Sequence, residues 1–183
     1  MKTILAGFAI AVLVQSALLG QEAPAFPASQ KEHAWLQQFV GEWGVTSEAI
    51  MEPGQPAIKF TGTMNSRMLG GFWVVSEMTN EMMGVTMTAI QTIGYDPLTK
   101  KYVGTFIDSM QGHMWKYEGA VDPTGKILTL EAEGPNFMQA GKMSKYRDVY
   151  EFKSQDHILM SSLMQGDDGK WVTFMTGDIN RSK

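Results

Sequence analysis

An acid, an imidazole and a phenol lie close together around a Gln-Gly dipeptide at 111 to 112: Asp108, His113 and Tyr117. Such a set can accept and donate protons, which is the requirement for general acid-base catalysis. His113 next to the thioether of Met110 could instead bind haem iron or a soft metal such as Cu(I). A lone histidine at a hairpin end is more often a hydrogen-bonded residue at the rim of the fold.

A two-residue turn at 111 to 112 would fix which of these side chains share a face, because turn length sets hairpin register. The predicted pairs are Met110 with His113, Asp108 with Trp115, Phe106 with Tyr117 and Gly104 with Gly119. The other face carries Lys116 and Glu118, so we expect the aromatic face to point inward. If Tyr95 pairs with Tyr102, the inner face continues through Ile93, Gln91 and Ala89 to Met87, near Met110 and His113.

The hairpin around Gly70-Gly71 adds a second acid to this candidate pocket. A two-residue turn there directs Trp73 and Glu77 to the same face as Phe60 and Met64, inside the fold. On a later strand the aromatic set containing Tyr146 and Tyr150 is expected to point inward. The candidate ligand-binding residues are therefore Trp73, Glu77, Met87, Phe106, Asp108, Met110, His113, Trp115, Tyr117 and Tyr150.

Established catalytic signatures do not accompany these residues. The sequence contains no HExxH helix, CxxC pair, Gly-rich phosphate loop or Ser-His-Asp order. An enzyme using Asp108, His113 and Glu77 is therefore the less favoured hypothesis. The 15 methionines could handle copper or absorb oxidants, but flexible filler of a core or an adaptable apolar pocket is the simpler interpretation.

The elements that would position these side chains are mostly strands. Apolar residues from Lys31 to Val40 recur at helical spacing, which predicts one short helix that Ser29 could cap. After Gly41 the pattern alternates, and nine turn signals separate ten candidate strands. With no second helix to cross a sheet, we expect antiparallel hairpins closing into an up-and-down β-barrel. The helix and Trp43 would then close one end.

The first twenty residues have the layout of a secretory signal peptide: one lysine, an apolar run and small side chains. Cleavage is expected after Gly20, or after Ala25, and residues 21 to 30 form a Pro/Ala linker expected to be disordered. A single barrel domain would then occupy 31 to 183. We expect a periplasmic or secreted protein with no stable membrane span after cleavage.

The composition indicates how the fold is stabilised and which partners are unfavoured. The chain has no cysteine, so a packed core rather than disulfides must stabilise the fold. Fifteen basic against 19 acidic side chains, scattered along the chain, argue against a nucleic-acid partner. No motif identifies a cofactor.

Several segments are similar to those of one bacterial family. The Gly-Glu-Trp before the first strand resembles the start of calycin barrels, which include lipocalins, fatty-acid-binding proteins and nitrobindin-like haem barrels. More specific segments, covering Lys31 to Trp171, are KEHAWLQQFVGEW, SRMLGGFWVVSE, TIGYDP, YVGTFIDSM, MWKYEG, ILTLEAEGP, KYRDVYEF and GDDGKW. Together they resemble the family known as domain of unknown function 1579. The resemblance implies an exported barrel without an assigned activity.

The function favoured by the sequence is reversible binding of a small apolar or amphipathic molecule. A closed barrel of ten strands is wider than the roughly eight strands that side chains alone can fill. The alternatives are a haem or soft-metal barrel that uses His113, and the enzyme described above.

Overall fold

A computed structural model describes residues 27 to 52 and 54 to 182 of the chain. An α-helix, α1 (Lys31–Trp35), continues into a 3-10 turn (Leu36–Phe39). Ten strands follow: β1 (Gly41–Ala49), β2 (Ile58–Leu69), β3 (Trp73–Met82), β4 (Val85–Asp96), β5 (Lys101–Asp108), β6 (Trp115–Val121), β7 (Ile127–Pro135), β8 (Met143–Ser154), β9 (His157–Gln165) and β10 (Trp171–Arg181).

Each strand pairs antiparallel with its sequence neighbours, and β1 pairs with β10. The sheet is therefore a closed up-and-down barrel, as the hairpin pattern predicts. Because the strands alternate in direction, β1 begins at the same end of the barrel at which β10 finishes. We call this end, which α1 covers, the closed end, and the other the open end.

The short helix closes its end of the barrel with aromatic side chains. Phe39 is 1% exposed and packs edge-on against Tyr150 and Phe152. Trp35 packs against Tyr102, whose hydroxyl donates a hydrogen bond to the Glu32 carbonyl at 3.0 Å. The predicted N-cap residue was wrong, since Gln30 rather than Ser29 caps the helix.

Trp43 is the central side chain of this closure. It is fully buried, and its indole N–H donates to the Phe39 carbonyl at 2.8 Å. The Arg181 guanidinium lies 4.1 Å from the centre of the Trp43 ring and donates to the Val40 carbonyl at 2.8 Å. Gly41 adopts a φ of 132°, a backbone conformation that favours glycine because glycine has no Cβ. The first and last strands are thus fastened together beneath the helix.

The predicted register was wrong in the hairpin of β2 and β3. Leu69 pairs with Trp73, so the turn contains three residues, 70 to 72, instead of two. One additional residue moves every β3 side chain to the opposite face, since side chains alternate along a strand. Trp73 and Glu77 therefore point outward and are exposed, while Val74 and Ser76 are buried.

The β5–β6 hairpin differs from its prediction by two residues. Phe106 pairs with Trp115, and Gly104 with Tyr117, because the connection spans 109 to 114 rather than a two-residue turn. A shift of two residues preserves the face, so the inward orientation of these aromatic residues is the one the alternation predicted. The predicted pairing of Tyr95 with Tyr102 is confirmed.

Residues 1 to 26 lie outside the described part of the chain, and with them the predicted signal peptide, both cleavage positions and most of the linker. Within the part that the structure describes, no helix is long and apolar enough to cross a membrane.

Candidate functional site

The interior of the barrel contains both buried and solvent-accessible side chains. Tyr146 and Tyr150 on β8 are buried, yet Asp148 between them retains accessible surface. On β9, Met160 is likewise accessible although its inward neighbours Ile158 and Ser162 are buried. Val45, Met78 and Phe106 are inward-facing and partly accessible in the same way.

These partly accessible residues line the interior of the barrel. Asp148 and Met160 share a face with buried neighbours, because alternate residues of a strand point to one side. Both side chains therefore face the space that the strands enclose. We call this space the lumen.

Asp148 is the centre of a polar cluster on the lumen wall. The Tyr117 hydroxyl donates to one carboxyl oxygen at 2.6 Å, and the Ser162 hydroxyl donates to the other at 2.5 Å. These partners come from β6 and β9, on either side of β8. The cluster thus connects three parts of the wall through one carboxyl group.

Burial changes the protonation of this cluster. Loss of hydration raises the pKa of Asp148, and the hydrogen bonds from Ser162 and Tyr117 oppose that rise. The pKa of Tyr117 is raised well above its usual value by burial and by the neighbouring carboxyl. Burial also raises the pKa of Tyr150. All three groups therefore favour their protonated forms more strongly than they would in water.

Further polar groups face the interior of the barrel. The Gln91 amide donates to the Tyr150 hydroxyl at 3.0 Å. Ser47 Oγ and Asn80 Oδ1 are buried and have no hydrogen-bond partner within the described residues. Gly62 makes room for Asn80, since a Cβ there would lie 2.1 Å from its Oδ1. Buried polar atoms are normally paired, so these two are exceptions among the described residues.

The open end is surrounded by exposed apolar side chains. Phe137, 40% exposed, packs against Tyr146 and Phe174 and so folds back onto the rim. The other exposed apolar residues near the open end are Ile50, Met51, Met83, Val85, Met110, Met114, Met138, Met143 and Val172. Six of these ten residues are methionines, whose flexible side chains adapt to different shapes.

The predicted site residues separate into three groups. Met87, Phe106, Trp115, Tyr117 and Tyr150 lie on inward-facing positions of the barrel. Asp108, Met110 and His113 lie at the open rim. Trp73 and Glu77 lie on the outer surface, so their predicted place inside the pocket was wrong.

The rim residues already have structural partners. Asp108 accepts hydrogen bonds from the Met110 backbone N–H at 2.7 Å and from the Gln111 side chain at 2.9 Å. His113 Nε2 lies 3.3 Å from the Glu133 carbonyl, and its ring stands edge-on to Trp115. These contacts stabilise the connection between β5 and β6.

Glu77 and Asp108 meet only at the outside of the barrel. They line a surface groove of about 380 Å³ together with Thr88 and Ser109. A second groove of about 460 Å³ lies outside the closed end, between α1 and residues such as Lys100 and Asp122. Across residues 27 to 52 and 54 to 182, no three His, Asp or Glu side chains converge as a metal site would require.

Sequence reasoning missed Asp148, Ser162, Asn80 and Ser47 as site residues. Asp148 did have a recognisable signal, because it interrupts the inward series of Tyr146, Tyr150 and Phe152. Ser47 on β1, Asn80 on β3 and Ser162 on β9 give a similar signal, a polar residue at an inward position, but a weaker one than that of Asp148. Their significance depends on which strands become neighbours across the lumen.

Solved structures with the same fold include two natural proteins. Rv2717c from M. tuberculosis matches with a TM-score of 0.63 and 11% identity, over 85% of this chain and 100% of that one. The S-type phycobiliprotein lyase CPES from Guillardia theta matches with a TM-score of 0.54 and 10% identity, over 86% and 99%. At these identities the similarity is one of fold alone.

The sequence comparisons lead to a family without an assigned activity. No curated protein matches the chain in sequence. The family model described as "Protein of unknown function (DUF1579)" matches residues 28–181, which is most of the chain. The chain therefore belongs to the DUF1579 family.

Proposed function

We propose that this protein is an exported binding protein that holds a small apolar or amphipathic molecule in the lumen of its barrel. The observation that carries the proposal is the accessible surface of inward-facing residues such as Val45, Asp148 and Met160. A space lined by apolar and aromatic side chains with a few polar groups is the usual form of a small-molecule site.

The lining indicates a ligand of mixed character. Val45, Met78, Phe106 and Met160 provide apolar surface, whose burial against a ligand is worth roughly 25 cal/mol per Å². The polar groups are confined to a few positions, including Asp148 with its partners Tyr117 and Ser162. An amphipathic molecule would cover the first set and satisfy part of the second.

The ligand enters through the open end in this proposal. The closed end is filled by Leu36, Phe39 and Trp43, each at most 1% exposed. The opposite rim presents exposed apolar side chains such as Phe137, Met138 and Met143. An apolar ligand can contact these residues before it reaches the lumen.

Export is the second component of the proposal. It is supported by the lysine and the following apolar run in residues 1 to 20. A binding protein in the periplasm or outside the cell would encounter small molecules from the surroundings.

Fluorescence of the neutral dye Nile red tests the lumen directly. Val45 faces the lumen, whereas Thr46, the next residue of β1, is exposed on the outer wall. We expect wild-type protein to shift the dye emission to the blue and Val45→Phe to reduce its affinity by about tenfold or more, a loss of about 1.4 kcal/mol. Thr46→Phe should bind the dye as the wild type does.

Two results would overturn this function. One is a dye signal that Val45→Phe and Thr46→Phe leave equally unchanged, which would locate the binding outside the lumen. The other is the absence of any dye or alkyl ligand binding to folded wild-type protein. Circular dichroism and thermal unfolding establish that both variants retain the barrel.

A further inference from the structure

Asp148 is a carboxyl group without a cationic partner on the wall of the lumen. Its oxygens accept hydrogen bonds from two neutral hydroxyl groups, those of Tyr117 and Ser162. Of the part of the chain that the structure describes, no Lys, Arg or His forms an ion pair with it. A buried charge is normally paired, so the missing partner is a notable feature of this site.

The basic side chains of the described residues are placed where they do not reach the lumen centre. Lysines on the strands are exposed, as at Lys59, Lys116 and Lys145. Arg147 faces outward, paired with Glu131 and stacked on Trp171. Arg181 faces inward, but it lies at the closed end and its donors are used by Val40 and neighbouring carbonyl groups.

The hydrogen-bonding capacity of Asp148 is only partly used. An ionised carboxylate has about four lone-pair positions, of which the hydroxyls of Tyr117 and Ser162 occupy two. Asp148 lies at an inward position of β8 and is partly accessible, so the remaining positions face the lumen. An ammonium group supplies up to three donors and the missing positive charge.

Aromatic rings next to this position add to the preference for a cation. Tyr117 and Tyr150 are buried on the same inner wall, each 6% exposed, and Phe106 also faces the lumen. The faces of aromatic rings attract cations through their quadrupole. An anionic headgroup would gain nothing from the rings and would be repelled by the carboxylate.

We infer that the lumen selects amphipathic molecules whose polar end is a basic nitrogen, with the nitrogen bound by Asp148 and the apolar part directed toward the open end. This inference depends on the proposed function, because it names the ligand class for the same lumen. It assigns Asp148 the role of a specificity-determining residue.

Three alkyl probes of one chain length separate the ligand classes: dodecylamine, dodecanol and dodecanoate. Their affinities are measured by displacement of Nile red at pH 7.5, below the concentrations at which they aggregate. We expect dodecylamine to bind wild-type protein about 10 to 100 times more tightly than dodecanol, the range of a charge-assisted hydrogen bond. Dodecanoate should bind most weakly.

Two variants assign the preference to its residue. Asp148→Asn removes the charge while keeping the size of the side chain, and it should bring the affinity for dodecylamine close to that for dodecanol. Glu48→Gln makes the same change in net charge on the exposed outer face of β1 and should retain the preference. If Asp148→Asn does not fold, the ranking of the three probes on wild-type protein still decides the question.

The possible outcomes test the inference separately from the proposed function on which it depends. Equal binding of the amine and the alcohol, or an amine preference that persists in Asp148→Asn, would overturn the inference and leave the binding function intact. Failure of all three probes to displace the dye from folded wild-type protein would contradict both the inference and the proposed binding function.

Discussion

The Tyr117 hydroxyl on β6 reaches past β7 to donate a 2.6 Å hydrogen bond to Asp148 on β8. The two residues are 31 positions apart in sequence and become neighbours only because the sheet curves around the lumen. A partly buried acid and two hydroxyl donors thereby come together on the lumen wall. The first two predictions concern this cluster.

The stability of the protein should depend on pH through Asp148. Burial raises the pKa of Asp148 above that of the unfolded chain, which is about 3.9. Between the unfolded and the native pKa, the native state therefore binds more protons than the unfolded state. The contribution of Asp148 to stability therefore falls as the pH rises through this interval. Asp148→Asn cannot titrate, so the melting temperature of wild type minus that of the variant should be largest at acid pH and decrease toward neutral pH.

Thermal unfolding of both proteins between pH 3.5 and pH 8 measures this difference. The groups facing Asp148 are Tyr117, Tyr150 and Ser162, none of which changes charge in that range. A difference that increases with pH would indicate that the native state lowers the pKa of Asp148, contrary to this account.

Removal of one hydroxyl from the cluster should be costly. Tyr117→Phe leaves a carboxyl oxygen of Asp148 without its donor, and we expect a loss of about 1 to 3 kcal/mol of unfolding free energy. Tyr102→Phe is the matched control, because it removes a neutral hydrogen bond to the Glu32 carbonyl and should cost about 0.5 to 1.5 kcal/mol. Urea unfolding measures both, and a larger loss for the control would contradict the importance assigned to Asp148.

The closed end offers a comparison between two stacked arginines. Arg181 and Arg147 each lie 4.1 Å from the centre of a tryptophan ring, but only Arg181 also joins carbonyl groups of separate segments beneath the helix. We expect Arg181→Leu to cost about 2 to 4 kcal/mol, as a cation–π contact and several hydrogen bonds are lost together. Arg147→Leu, on the outer wall, should cost about 1 kcal/mol or less.

Chemical unfolding of the two leucine variants decides this comparison. Equal losses would mean that Arg181 contributes only its stacking on Trp43, and that the first and last strands are held by the sheet alone.

The lack of cysteine in the sequence allows the β3 orientation to be tested by labelling. A cysteine replacing the exposed Glu77 should react with a maleimide at least about tenfold faster than one replacing the buried Ser76, which must wait for local opening. Mass spectrometry of the labelled protein follows both rates. The reverse order of rates would indicate a two-residue turn between β2 and β3, with Glu77 inside the barrel.

The β2–β3 and β5–β6 hairpins show which features of this fold can be predicted from sequence. Alternation identified the ten strands and the closure by Trp43, because these depend on local patterns. A register error of two residues left the predicted faces of β5 and β6 correct. An error of one residue assigned the β3 side chains to the wrong face and so placed Glu77 inside the barrel. A Gly-Gly pair allows turns of either length, so the residues alone do not decide the register.

The Asp148 cluster was harder to predict for a different reason. Tyr117 and Tyr150 were recognised because aromatic residues on an inward face mark a pocket. Asp148 and Ser162 acquire their role from each other and from Tyr117, through contacts between strands whose register must first be known. Polar residues at inward positions become informative once the barrel is closed.

A crystal structure of the protein with 12-bromododecylamine tests the central claim, a hollow barrel that holds a ligand, most directly. The anomalous signal of bromine locates one end of the molecule, and the electron density locates the nitrogen. The account predicts the nitrogen within hydrogen-bonding distance of Asp148 and the bromine toward the open end. A lumen filled by protein side chains, with bromine found only on the outer surface, would contradict it.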